Sequence, residues 1–336
     1  MRSADGDSVR AGGMDPTRES AVQVHGPIER MRVERAADLG GVLDARDEPL
    51  ILEGAIEHWP ARGADGWDGA GLARRLGPLP ARCKLSPSHR HPDFAAPTLG
   101  EMFATRASTF GELLEQIARG GSEAARCFLT GDEEFVIRRR PGRPEERNPK
   151  LAVLFPDFEL PELFEPDALY TVWLWLSGAG VRSWLHYDTN GCHNLNAQVR
   201  GSKRVWLFPP EALAHTYPFE LGGANPAHNC CRVDIEAPDL ERFPDFAKAV
   251  CLEGEVRAGD LLFLPADWIH SFLHTGALNV NLNFWWRPAR PRQTPVALRQ
   301  AFLDRVRELR SQRELSAEAL DALAAIDRAL IAAPLS

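Results

Sequence analysis

Residues 183–210 read SWLHYDTNGCHNLNAQVRGSKRVWLFPP. Two β-type runs, 194–200 and 203–208, flank the pair Gly201-Ser202, a turn signal that predicts a hairpin. A third β-type run, 183–187, delivers His186 and leads into Asp188 two residues on. In an extended strand, residues two apart point to one face. An imidazole and a carboxylate would then project together while Tyr187 faces away. Two such groups hold a metal ion poorly, so a third ligand is expected on a strand that pairs nearby.

A candidate lies downstream in Gly259-Asp260-Leu-Leu-Phe-Leu-Pro265-Ala-Asp-Trp-Ile-His270. The Gly-Asp pair turns the chain, residues 260–264 read as a buried strand, and Pro265 ends it. His270 follows at the strand mouth. Two histidines and one carboxylate leave three adjacent coordination positions open, which suits a non-haem Fe(II) centre.

Working outward, further short β-type runs lie at 170–176 and 279–286, separated by Gly, Pro and Asn turns. Strands at this pitch indicate a sandwich or barrel. Upstream, 49–54 (PLILEG) reads as a buried strand, 68–76 as a short helix and 126–129 as another strand. Thr109 is a good N-cap for a helix to residue 118, with Phe110, Leu113, Leu114 and Ile117 on one face. Residues 137–150 form a basic loop with six positive and two negative side chains. After Pro295 the pattern turns helical. One stripe is Val296, Leu298, Phe302, Val306 and Leu309; Ser316 caps a second helix with Leu320, Leu323, Ile326 and Leu330. The barrel or a second subunit must cover these stripes. The second subunit is the favoured expectation, giving a homodimer through the C-terminal helices.

The 336 residues suit about two domains or one large barrel with appendages. With 44% hydrophobic and 26% charged residues, general disorder is excluded. The net charge, 39 − 47 = −8, argues against a dedicated nucleic-acid binder. No run of 18 apolar residues exists, so no membrane span is expected. Residues 1–15 lack the apolar core of a secretory signal. Six cysteines without a CxxC pair read as reduced thiols, and the expected location is cytoplasmic. Nine Trp and 26 Pro suit a β-rich fold.

Gly180 lies six residues before His186 and Gly201 seven after Asn194. With the G-x5-P-x-D-x2-H pattern at 259–270, this resembles the paired motifs of the cupin superfamily. Metal cupins with a fourth, glutamate ligand would carry it at Asn194, so three protein ligands are implied here. The run from His186 to Pro210, together with Asn281-Leu-Asn283-Phe-Trp285-Trp286, resembles the JmjC family. Within it, the resemblance is to the branch containing the asparaginyl hydroxylase called factor inhibiting HIF. It spans roughly residues 45–290. It implies a mainly β fold with flanking helices: a double-stranded β-helix (jelly-roll) core at 166–290, an N-terminal α/β cover at 26–165 and a C-terminal helical pair at 291–336. Residues 1–25 are expected to be a flexible tail.

The resemblance also implies a chemistry, Fe(II)- and 2-oxoglutarate-dependent oxygenation with molecular oxygen. The metal ligands would be His186, Asp188 and His270. Lys203 would bind the distal carboxylate of 2-oxoglutarate, since burying that carboxylate unpaired is costly. Ser183 stands where the family usually has a threonine and would donate a second hydrogen bond. Asn194 and Asn283 match positions near cosubstrate and metal. A tyrosine that helps bind 2-oxoglutarate in the related hydroxylases is matched here by Phe128. His193 is expected to face away, His274 to pack or cap, Trp173, Trp175 and Trp206 to be core, Trp285 to border the site, and His89 and His91 to lie on the surface. The expected activity is hydroxylation of a protein or peptide side chain. The alternatives are a small-molecule hydroxylase, a histone demethylase and a cupin-type binding protein without oxygenase activity. Neither a nucleic-acid nor a membrane partner is expected.

Overall fold

The computed structural model describes residues 22–34, 43, 45–64, 66–85, 101–125, 127–129, 133–137, 146–160, 168–223 and 225–333. His89, His91 and most of the basic 137–150 loop lie outside the described residues, as does the side chain of Phe128.

In chain order the strands are β1 (Gln23–Pro27), β2 (Glu29–Arg32), β3 (Leu50–Glu53), β4 (Pro80–Leu85), β5 (Ala104–Thr109), β6 (Cys127–Leu129), β7 (Glu134–Ile137) and β8 (Glu146–Arg147). The core strands follow: β9 (Leu169–Gly178), β10 (Arg182–His186), β11 (His193–Arg200), β12 (Ser202–Phe208), β13 (Val250–Arg257), β14 (Leu261–Leu264), β15 (Ile269–His274) and β16 (Leu278–Trp286). The helices are α1 (Gly69–Leu76), α2 (Phe110–Arg119), α3 (Gly121–Ala124), α4 (Pro295–Gln312) and α5 (Ala317–Ala332).

Two sheets face each other. The smaller runs β1-β13-β12-β15-β10; the larger runs β2-β3-β14-β11-β16-β9-β6-β4-β5, with β7 and β8 attached at β9. From β9 to β12 the chain changes sheet at every step, and β13 to β16 return through both. That is the expected jelly roll.

This topology corrects the hairpin expected at Gly201-Ser202. β11 pairs with β14 and β16, whereas β12 pairs with β13 and β15. The turn is a corner between sheets. Gly201 has φ 75°, and a Cβ there would overlap the Asn279 amide oxygen and the Leu278 carbonyl. The left-handed glycine seats the corner against β16. Two further core strands, β13 and β15, were not read from the sequence. The tail expected at 1–25 overlaps an ordered strand, since Gln23–Pro27 pairs in parallel with β13; residues 1–21 lie outside the described residues.

Alternation on the large sheet decides what is buried where. On β16, Val280, Leu282, Phe284 and Trp286 join an apolar cluster with Leu195, Ala197 and Val199 of β11. Trp59, Trp67, Leu72, Phe110, Leu113 and Ile117, from the N-terminal cover, complete it. That outer face would otherwise expose a broad apolar surface, so the cover is required. Thr109 caps α2 with a full capping box to Glu112, as its spacing predicts. The opposite face of the same strands carries Asn194, Asn196, Asn281, Asn283 and Trp285, and it lines a cavity. Below the cavity the barrel is sealed by Val205, Leu207, Val256, Leu262, Leu264, Phe272 and their neighbours.

The helical pair differs from the expected stripes. Leu298 is 46% and Ile326 47% exposed, while Arg299, Gln300 and Asp327 are buried. Leu303 and Val306 pack on Leu221, with Phe302 and Leu323 against them, and Val296 joins the cluster on the outside of the small sheet. The chain itself thus covers much of the face assigned in expectation to a second subunit. No helix among the described residues is long and apolar enough to cross a membrane.

Candidate metal centre

The cavity, about 410 Å³, opens between the sheets and is lined by His186, Asp188, Lys203 and His270 among others. His186 and His270 are register partners across the antiparallel β10–β15 pair, with ring centroids 4.3 Å apart. His270 thus lies inside a strand of its own, β15, which pairs with β10, and not at the mouth of the 260–264 strand as expected. Asp188 lies two residues beyond the end of β10. One donor atom each from His186, Asp188 and His270 lies within 4.8 Å of the others.

The donors are prepared for a cation. His186 Nδ1 meets the Trp184 carbonyl at 2.6 Å, and His270 Nδ1 meets the Trp268 carbonyl at 2.9 Å. A carbonyl only accepts, so each Nδ1 carries the proton and each Nε2 presents a lone pair. Asp188 Oδ2 accepts from the Trp285 indole at 2.8 Å and from Asn194 at 3.4 Å. Oδ1, 3.9 Å from His186 Nε2, is left for coordination. Burial alone would raise the Asp188 pKa, but His270, His186 and the hydrogen bonds from Trp285 and Asn194 hold it below the ordinary carboxylate value. Burial, reinforced by His186, pushes His270 down to about 4, so it stays neutral and able to ligate. The donor set fits a hard-to-borderline divalent cation with open positions.

Asn194 and Asn283 stand behind the carboxylate. Asn281 donates to Asn283, Asn283 to Asn194 at 3.1 Å, and Asn194 to Asp188. Asn281, Asn283 and Trp285 share one strand face, and Asn194 is the register partner of Trp285. Across the cavity, Lys203 is 1% exposed. Its ammonium donates to Asn196 Oδ1 and lies 4.8 Å from the Phe272 ring centre. Among the described residues no carboxylate offsets its burial, which pushes its pKa down to about 7. An anionic ligand is the natural partner for such an amine.

Ser183 also faces the cavity, although it lies three residues from His186. A regular strand would place the two on opposite faces; the register shift between them allows both to point inward. Ser183 Oγ accepts from Phe272 N at 3.1 Å, which leaves its own proton to donate.

His193 faces away as expected, with Nδ1 accepting from Ala266 N at 3.0 Å. Two expectations of a purely packing role are revised. His274 lines the cavity beside Lys203 and shares a hydrogen with Ser177 Oγ at 3.0 Å. Burial and Lys203 push it down to about 3, so it is neutral. Trp175 lines the cavity too, stacked on Trp173 at 22°. The signal for His274 was its spacing, four residues along the strand from His270.

Comparison with known proteins agrees with this geometry. Residues 43–291 match the family described as Cupin-like domain. The tRNA wybutosine-synthesizing protein 5 of Danio rerio is 33% identical over 228 residues, 66% of this chain and 64% of that protein. Its Homo sapiens counterpart is 30% identical over 193 residues, 56% and 58%. Lysine-specific demethylase 8 of Danio rerio is 28% identical over 277 residues, 81% and 59%. The matched stretch covers less than two thirds of each of these relatives. With the jelly roll, the paired motifs and the match over most of its length, the chain belongs to the cupin-like domain family.

Proposed function

We propose that the protein is an Fe(II)- and 2-oxoglutarate-dependent oxygenase that hydroxylates a protein or peptide side chain. One observation carries the reading: a His186–Asp188–His270 donor set and a buried, carboxylate-free Lys203 share one cavity. When bound, Fe(II) with 2-oxoglutarate supplies oxidative decarboxylation to succinate and carbon dioxide, coupled to hydroxylation of a C–H bond. The chain's own part is to hold and orient. His186 and His270 offer Nε2, and Asp188 offers Oδ1. Lys203 and Ser183 take the distal carboxylate of the cosubstrate. Trp175, Phe272 and Trp285 exclude water from the reacting region. Kinship with the asparaginyl-hydroxylase branch rests on the motif residues at 186–210 and 281–286.

A second substrate reading, a modified base in tRNA, is favoured by the names of two of the relatives. The net charge of −8 speaks against it, since phosphate contacts need cations. The two separate by mass spectrometry after incubation with Fe(II), 2-oxoglutarate and oxygen. A gain of one oxygen on a peptide supports the first, and a gain on a nucleoside from digested tRNA replaces it with the second. The binding step is tested anaerobically. The visible charge-transfer absorption of 2-oxoglutarate chelated to Fe(II) is expected for the native chain. Its absence would overturn the reading.

A further inference from the structure

Tyr187 sits between the two ligands of the His-x-Asp motif and points away from them, fully buried. Its hydroxyl accepts a hydrogen bond from Arg299 Nη1 at 3.0 Å. Arg299, on α4, is itself fully buried and 112 residues away in sequence. Its guanidinium has five N–H groups, and five acceptor contacts are present. Nε and Nη2 reach the two carboxylate oxygens of Asp327, on α5, at 2.8 and 3.0 Å. Nη1 also donates to the His228 carbonyl at 2.5 Å, and Nη2 to the Phe219 carbonyl at 2.7 Å. Asp327 Oδ2 further accepts from Leu221 N at 2.8 Å.

The carbonyls that Arg299 grips belong to the segment flanking the candidate metal site. Within it, Asn229 and Tyr187 exchange two hydrogen bonds, Tyr187 N to Asn229 O at 3.1 Å and Asn229 Nδ2 to Tyr187 O at 2.9 Å. Cys231 N donates to Leu185 O at 2.9 Å, and Cys230 bridges His186. This segment therefore edges β10, which otherwise ends the small sheet. Asp188 itself lies beyond the last residue of β10, outside any strand. No strand pairing holds its backbone, although its carboxylate takes hydrogen bonds from Trp285 and Asn194. The residue before it is fixed from behind by the ion pair.

We propose that the Arg299–Asp327 pair, acting through Tyr187, positions the His186–Asp188 turn for metal binding, which makes the C-terminal helices part of the metal centre. Tyr187, Arg299 and Asp327 are positioning residues, since none reaches the cavity. A saturated guanidinium suits the task. With every N–H engaged it has one orientation, whereas a buried ion pair is weak grounds for stability alone. The inference rests on the proposed metal site.

The test is a Co(II) titration of the full chain, read by its visible d–d absorption, with thermal melts in parallel. Tyr187→Phe removes one hydroxyl and no charge. It is expected to weaken Co(II) binding about tenfold, the size seen when outer partners of a metal ligand are lost. Asp327→Asn should weaken it in the same direction. The control is Tyr217→Phe, whose hydroxyl accepts from Asp245 N at 2.9 Å, a bond outside the Arg299–Asp327 network. It should leave Co(II) affinity unchanged, with its melting temperature measured alongside. Native affinity in Tyr187→Phe, or equal weakening in both Tyr→Phe variants, overturns the proposal and leaves the metal site standing. No Co(II) binding by the native chain overturns both.

Discussion

His186 and His270 face one another as register partners on adjacent antiparallel strands, 84 residues apart in sequence (270 − 186) and with ring centroids 4.3 Å apart. Two imidazoles in that position gain little from each other. Their Nδ1 protons are both committed to backbone carbonyls, so the Nε2 lone pairs converge. Together with Asp188 they form a donor set that could hold a cation.

Trp285 supplies the shorter of the two hydrogen bonds to Asp188 Oδ2, 2.8 Å against 3.4 Å from Asn194. Trp285→Phe keeps the ring and loses the donor. Metal affinity is expected to fall roughly tenfold, with a melting temperature close to native. Calorimetric titration with Mn(II) or Co(II) checks this, and unchanged affinity would show that Oδ2 is not oriented by the indole.

Lys203 leads to an opposite pairing of effects on stability and binding. Burial holds its pKa at about 7 in the fold, below the ordinary lysine value of 10.5, so the unfolded chain binds more protons between those pH values. Stability therefore rises with pH across that window, and the cost of the buried ammonium is fully present below pH 7. That cost is about 5 kcal/mol. Lys203→Met removes it and leaves the Asn196 oxygen unpaired, at roughly 1–3 kcal/mol. The variant without ligand should melt higher than native at pH 6, should lose that advantage at pH 10, and should no longer bind 2-oxoglutarate. A Lys203→Met variant destabilised at pH 6 would contradict the assignment of an unmatched charge.

The same amine makes cosubstrate affinity depend on pH. A bound carboxylate favours the charged form, so binding takes up a proton once the free amine deprotonates. Affinity should be level below pH 7 and fall by up to about tenfold per unit above it. Titrations of 2-oxoglutarate at several pH values read this directly. A flat profile from pH 6 to 9 would mean that Lys203 does not meet the ligand.

Leu298 and Ile326 remain exposed on the helical pair, and a homodimer through this face remains a proposal. Light scattering should then give twice the chain mass of 37.3 kDa, reverting to one chain in a Leu298→Asp, Ile326→Asp double variant. A monomeric native protein would end this proposal.

What could be read in advance followed from local periodicity. β3, α1, α2 with its Thr109 N-cap, and six core strands are set by alternation, caps and turns within their own segments. The ligand trio was legible because two of its members share a two-residue spacing and the third follows a Pro-terminated apolar run. Non-local pairing was not legible. Gly201 reads as a hairpin turn locally, and only the distant partners of β11 and β12 make it a corner. β15 was hidden because Pro265 was read as an ending and the five residues after Ile269 mix apolar and polar types. Leu298 was taken as inward from its spacing, but the face of α4 turned toward the chain is organised by Arg299. A buried ion pair between residues 299 and 327 has no periodic signature.

If this cavity runs metal-dependent 2-oxoglutarate chemistry, the decisive measurement is succinate formation by the native chain, supplied with Fe(II), 2-oxoglutarate and oxygen, beside Asp188→Ala. Succinate is expected from the native protein, even without an added substrate, and none above background from Asp188→Ala. Equal succinate from both proteins, or none from a native chain shown to be folded and loaded with Fe(II), would contradict it.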